Sequence, residues 1–116
     1  MLNQSELKTK GIKNYKFLSQ MYLDSYFPKS PVDKVKNVLL EVCFEIESTP
    51  PKDLKELYAI THRATEKIND LQNDFYDNGS EIETVARETI SLDFEFIAKS
   101  YGFEADLETL VAPRDW

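Results

Sequence analysis

A chain of 116 residues with 41% apolar residues is long enough for one domain with a substantial core. Its formal net charge of −7 argues against a nucleic-acid partner, because phosphate binding needs a basic patch and the basic residues here are scattered. Short apolar runs and a mean hydropathy of −0.47 leave no stretch of the roughly 20 apolar residues that a membrane helix requires, so no membrane partner is expected.

Residues 1–13 read as a polar N-terminal extension, loosely tied down to about residue 11. They lack the apolar stretch of a signal peptide, so a cytoplasmic setting is expected. Residues 14–116 read as a single helical domain. Asn14 is placed to cap a first helix of about ten residues, with Tyr15, Leu18, Met21 and Tyr22 as its apolar positions. Tyr26-Phe27-Pro28 ends it. Ser30 as N-cap and Pro31 in the first turn start a second helix. Val32, Val35, Leu39, Val42, Cys43 and Ile46 share one face of it, and Leu40 and Phe44 widen that face.

Thr49-Pro50-Pro51 breaks the chain. Thr49 or Asp53 starts a third helix that runs to about Tyr76, with Leu54, Leu57, Thr61, Ala64, Ile68, Leu71 and Phe75 at helical intervals. Asp77-Asn78-Gly79 is a turn signal. Ser80 and Glu83 have the spacing of a capping box for a fourth helix, which Gly102 ends. A short last helix, about Asp106 to Ala112, carries Leu107, Leu110 and Val111, and the terminal Trp116 is expected to dock on the domain. No segment alternates with strand period. The expected fold is all-α: a compact bundle of four main helices plus a short C-terminal helix, with sequential neighbours antiparallel.

The fourth helix carries the clearest anomaly. At about 100° per residue, Ile82, Ala86, Thr89, Asp93, Phe96, Ile97 and Ser100 fall on one face. An ionised carboxylate in the middle of an apolar face is costly unless it is paired or hydrogen-bonded. Two readings are open. Asp93 caps a neighbouring helix or pairs with a Tyr, Arg, Lys or His, or it lines a pocket as a base or ligand. In the second case Glu88, Arg87, His62 and Tyr101 are the candidate companions.

His62 is the only histidine, and Glu66 lies one turn further on. Such a pair can chelate a metal, and it equally reads as two surface neighbours. One histidine excludes the paired Glu-x-x-His pattern of di-iron bundles. There is no P-loop, GxGxxG, CxxC, HExxH or Asp-rich calcium loop. No metal and no cofactor are expected. Cys43 is the lone cysteine, which excludes an internal disulfide, and it reads as a small core residue with no base near it in sequence.

Several stretches, Asn69-Asp70-Leu71-Gln72, Asn78 through Glu88, Tyr101-Gly102-Phe103-Glu104-Ala105-Asp106 and the closing Arg114-Asp115-Trp116, carry a resemblance. With them the chain resembles a family of small acidic bacterial domains of unknown function, over nearly all of its length after residue 14. The resemblance implies a compact helical bacterial protein. It implies no activity and no catalytic residues.

Two functions remain in view. One is a small acidic protein-interaction module without catalysis, expected to be a monomer. The other is a small-molecule or metal-binding helical domain, conceivably an enzyme, centred on Asp93. A concave pocket at Asp93 with converging polar groups favours the second; an enclosed, satisfied Asp93 removes its centre.

Overall fold

Three long helices carry the core in the computed structural model, which describes residues 2–116. They are α3 (Lys29–Ser48), α4 (Leu54–Asp70) and α6 (Thr84–Ser100). The shorter elements are a 3-10 turn (Gln4–Glu6), α1 (Lys10–Lys13), α2 (Ser19–Leu23), α5 (Gln72–Asp77) and α7 (Leu107–Leu110). No strand occurs among the described residues, and the all-α class read from the sequence holds. No helix is long and apolar enough to cross a membrane among these residues.

The stripes read from the sequence are the buried ones. On α3, Val32, Val35, Leu39, Leu40, Val42, Cys43 and Ile46 are all buried. On α4, Leu57, Thr61, Ala64 and Ile68 are buried, while Leu54 at its start is 38% exposed, contrary to the stripe read from the sequence; α3 and α4 form the main interhelical contact. Phe75, Phe94, Ile90 and Ile97 complete the centre, each fully enclosed.

Helix starts follow local chemistry. Asp53 caps α4: its carboxylate accepts from the Glu56 N–H at 2.9 Å, while Glu56 accepts from the Lys52 N–H at 2.7 Å. Asp106 caps α7 by accepting from the Thr109 N–H and hydroxyl at 2.9 and 2.7 Å. These bonds occupy donors that a helix end otherwise leaves unpaired. They also hold Asp106 below the usual carboxylate range.

Four expectations need correction. First, α6 begins at Thr84 rather than Ser80, and no side chain caps it. The Ser80 N–H is already taken. It donates to the Phe75 carbonyl at 2.8 Å, while the Gly79 N–H donates to Tyr76. With Gly79 at φ +76°, this is the closure of α5, so Glu83 has no free donor to reach back to. Gly102 does end α6 as expected. It sits at φ +87°, with Phe103 N–H on the Ala98 carbonyl and Gly102 N–H on the Lys99 carbonyl.

Second, the third helix is not continuous to Tyr76. It breaks at Leu71 into α4 and α5. Asn69 beside the break clamps the C-terminal tail, donating to the Pro113 carbonyl at 3.0 Å and accepting from the Asp115 N–H at 2.9 Å. Trp116 is docked as expected, 7% exposed, with the Arg114 guanidinium 5.8 Å from its ring. Third, α3 begins at Lys29 with Pro28 as N-cap, so Ser30 lies inside the helix.

Fourth, the first helix does not run from Asn14. Asn14 ends α1, and α2 does not begin until Ser19. Leu18 between them takes a left-handed conformation at φ 56°, a state costing a non-glycine residue about 1–2 kcal/mol. The segment before it is also anchored: Leu7 and Ile12 are buried in the core. A polar composition had hidden two core side chains.

Gly102→Ala separates backbone strain from crowding. A Cβ at residue 102 meets nothing within 4 Å, so any cost comes from the left-handed backbone alone. Urea unfolding is expected to show a loss of about 1 kcal/mol, with the m-value unchanged.

Candidate functional site

Asp93 is 3% exposed and lies between α6 and the segment that joins α1 to α2. One carboxylate oxygen accepts from the Tyr15 hydroxyl at 2.6 Å. The other accepts from the Leu18 N–H at 2.7 Å. Asp93 therefore works as a remote cap: a carboxylate on one helix supplies the acceptor at the start of α2, whose own N-cap is a leucine with no side-chain oxygen. Tyr15 is held flat on Phe96, ring centroids 3.9 Å apart, with Phe17 against its edge at 4.8 Å. No salt bridge to Asp93 occurs among the described residues. Burial pushes its pKa above the usual range, and the two hydrogen bonds only partly offset this. Burial, helped by the same contact, drives the Tyr15 phenol well above its ordinary value.

The other candidate residues are elsewhere. The Tyr101 hydroxyl donates to Glu47, not Asp93, at 2.6 Å. The His62 ring nitrogen meets the Thr109 carbonyl at 2.6 Å, and the ring lies parallel to Tyr58. His62 thus ties α4 to α7 and does not reach across to Asp93. No group of three or more His, Cys, Asp or Glu placed to hold a metal occurs among the described residues. Arg87 and Glu88 line a cleft between α6 and the C-terminal segment, with Ser91, Leu92, Leu107, Glu108 and Arg114, about 320 Å³ in volume. Asp93 is not part of its wall.

Glu47 was not singled out in the sequence, yet it is the second acid that binds the N-terminal segment. It accepts from the Lys8 N–H at 2.8 Å, the Thr9 N–H at 3.2 Å and the Tyr101 hydroxyl. Burial raises its pKa, but these donors outweigh burial and hold it below the usual range. Its position on the edge of the α3 stripe carried no sign of this, because its donors are backbone groups 38 and 39 residues away. Cys43, one turn earlier, is fully buried, and burial with the nearby Glu47 charge pushes its thiol up to about 12. A thiol so held has almost no thiolate to offer as a nucleophile.

A family model for DUF5713, a family of unknown function, matches residues 11–116. The chain belongs to that family. The match spans the resemblance read from the sequence, and extends it back to residue 11, within α1. No curated protein and no solved structure matches the chain.

Two substitutions test the roles of the acids. Asp93→Ala leaves a phenol and a backbone N–H without their acceptor in the core, and urea unfolding at neutral pH is expected to show a loss of about 3 kcal/mol. Glu47→Gln is expected to cost about 1 kcal/mol at neutral pH. Because the folded-state pKa of Glu47 is lowered, its contribution is present above the ordinary carboxylate range and lost as pH falls through the folded value. The gap between wild type and Glu47→Gln should therefore narrow as pH falls below the ordinary glutamate range.

Proposed function

We propose that this protein is a small acidic protein-interaction module without catalytic chemistry of its own, acting as a monomer in a reducing bacterial cytoplasm. The observation that carries this reading is the outer face of α6. Leu92 is 55% exposed and Val85 is 39% exposed, two turns apart on one side of the helix. Leu92 forms part of the α6–α7 cleft with half-buried Leu107. Elsewhere on α6 the apolar residues are covered or packed against the core.

Charge at the cleft limits what it can take. Arg114 pairs with Glu108 at 3.3 Å, while Arg87 makes no ion pair among the described residues. Arg87 and Arg114 line the cleft beside Leu92 and Leu107, together with Glu88 and Glu108. A partner segment that presents an apolar side chain next to a carboxylate matches this arrangement: the side chain fills the cleft and the carboxylate meets Arg87. The acidic surface outside the cleft favours a partner with basic flanks. The lone, buried Cys43 supports a reducing compartment. The ligand alternative loses its centre, since Asp93 is enclosed and both of its oxygens are engaged.

A displayed peptide library panned against the folded protein tests this. Enriched peptides are expected to share an apolar residue beside Asp or Glu. Leu92→Glu and Arg87→Glu should each weaken them at least tenfold by calorimetry, with thermal stability unchanged. Enriched peptides that bind both variants as tightly as wild type would refute the cleft as the docking site.

A further inference from the structure

Thr49-Pro50-Pro51 does more than break the chain: it leaves the end of α3 without donors. In a continuing helix the N–H groups of residues 50 and 51 would bond to the carbonyls of Ile46 and Glu47. Proline has no N–H to give. The Thr49 N–H bonds to the Glu45 carbonyl at 2.9 Å, and neither the Ile46 nor the Glu47 carbonyl receives a hydrogen bond among the described residues. The end of α6 is finished differently. There the chain turns back at Gly102, and the Tyr101, Gly102 and Phe103 N–H groups take the Ile97, Lys99 and Ala98 carbonyls.

A cleft of about 360 Å³ lies at the end of α3. Ligand clefts run from roughly 300 to 1,000 Å³, so this one suits a ligand near the size of an amino acid. Pro50, Pro51, Tyr101 and Phe103 give it apolar and aromatic walls, and Ile46 and Glu47 line it as well. Lys8 reaches the same cleft from the N-terminal segment.

Two opposite charges meet this cleft without neutralising each other. Glu47 is bound by neutral donors only, the Lys8 and Thr9 N–H groups and the Tyr101 hydroxyl. No cation pairs with its carboxylate, and the exposed Lys8 ammonium pairs with no acid, among the described residues. α3 adds the negative end of its dipole and carries no basic residue in its last turn. The α3 side therefore favours a cation that can donate hydrogen bonds. A primary ammonium carries three N–H donors, which matches a carboxylate with two unbonded carbonyls on the same turn. Lys8 favours an anion, and the rings favour an apolar group.

We propose that this cleft binds a free α-amino acid with an apolar side chain. Glu47 and the unbonded carbonyls of α3 hold its ammonium, Lys8 holds its carboxylate, and Pro50, Pro51, Tyr101 and Phe103 hold its side chain. A bare amine is repelled by Lys8 and a bare carboxylate by Glu47, so recognition requires both charges. The cleft shares no residue with the one between α6 and the C-terminal segment, so the two sites are independent.

Isothermal titration calorimetry on the full chain near neutral pH tests this, with L-leucine and L-phenylalanine as probes. At least one of them is expected to bind with a Kd below about 1 mM. Its N-acetyl derivative lacks the ammonium and its amide lacks the carboxylate, and each is expected to bind at least tenfold more weakly. Lys8→Met should weaken the free amino acid to the level of the amide and leave the amide itself unchanged. NMR titration should shift the Glu47, Tyr101 and Phe103 amides. No binding of either amino acid up to about 10 mM would overturn the proposal. So would derivatives that bind as tightly as the free amino acid, or a Lys8→Met variant that binds it as tightly as wild type.

Discussion

One buried carboxylate joins the two ends of this molecule's architecture. Asp93 sits in the middle of α6, and its two oxygens are spent on Tyr15 and on the Leu18 N–H. Those two bonds fix where the chain turns from α1 into α2. They set Tyr15 flat on Phe96 and hold the backbone at a residue whose conformation is unfavourable by itself. The side chain of Leu18 is fully buried there, so packing and the carboxylate together maintain the left-handed turn. Without an acceptor at Asp93, a phenol and an amide would face an apolar interior.

The long helices were legible because each carries a wide apolar stripe at helical spacing. Most of the α3 and α4 residues read from the sequence are buried, although Leu54 is exposed and Val38, Ile60 and Thr65 are buried without having been read. Asp93 was legible as an anomaly for the same reason: an acid stands out only against a readable face. Its partners were not legible, because they lie 75 and 78 residues away and include a backbone amide, which has no sequence signature. The start of α6 failed for a related reason. Ser80 and Glu83 have capping-box spacing, but the closure of α5 had already claimed the Ser80 N–H. Two local rules competed for one donor, and the glycine closure prevailed.

The grouping of Asp93, Glu88, Arg87, His62 and Tyr101 as one ligand site rested on nearness in sequence or on compatible chemistry. The fold separates them into four places. Asp93 caps α2, Tyr101 supports Glu47, and His62 ties α4 to α7. Arg87 and Glu88 alone share a cleft, and Leu92 is what gives that cleft an apolar floor. Leu92 precedes Asp93 in sequence, at the margin of the apolar face of α6. Its exposure shows that the arc of α6 is wider than its neighbours can cover, and that surplus is what the interaction reading uses.

Asp93 and Tyr15 are expected to stabilise the fold as a coupled pair, the carboxylate accepting from the phenol at 2.6 Å. A double-mutant cycle on Tyr15→Phe and Asp93→Asn, measured by urea unfolding at neutral pH, tests this most directly. The structure requires a coupling of at least about 1 kcal/mol between the two side chains. Additive losses, with no coupling beyond measurement error, would contradict it and leave Asp93 without its organising role.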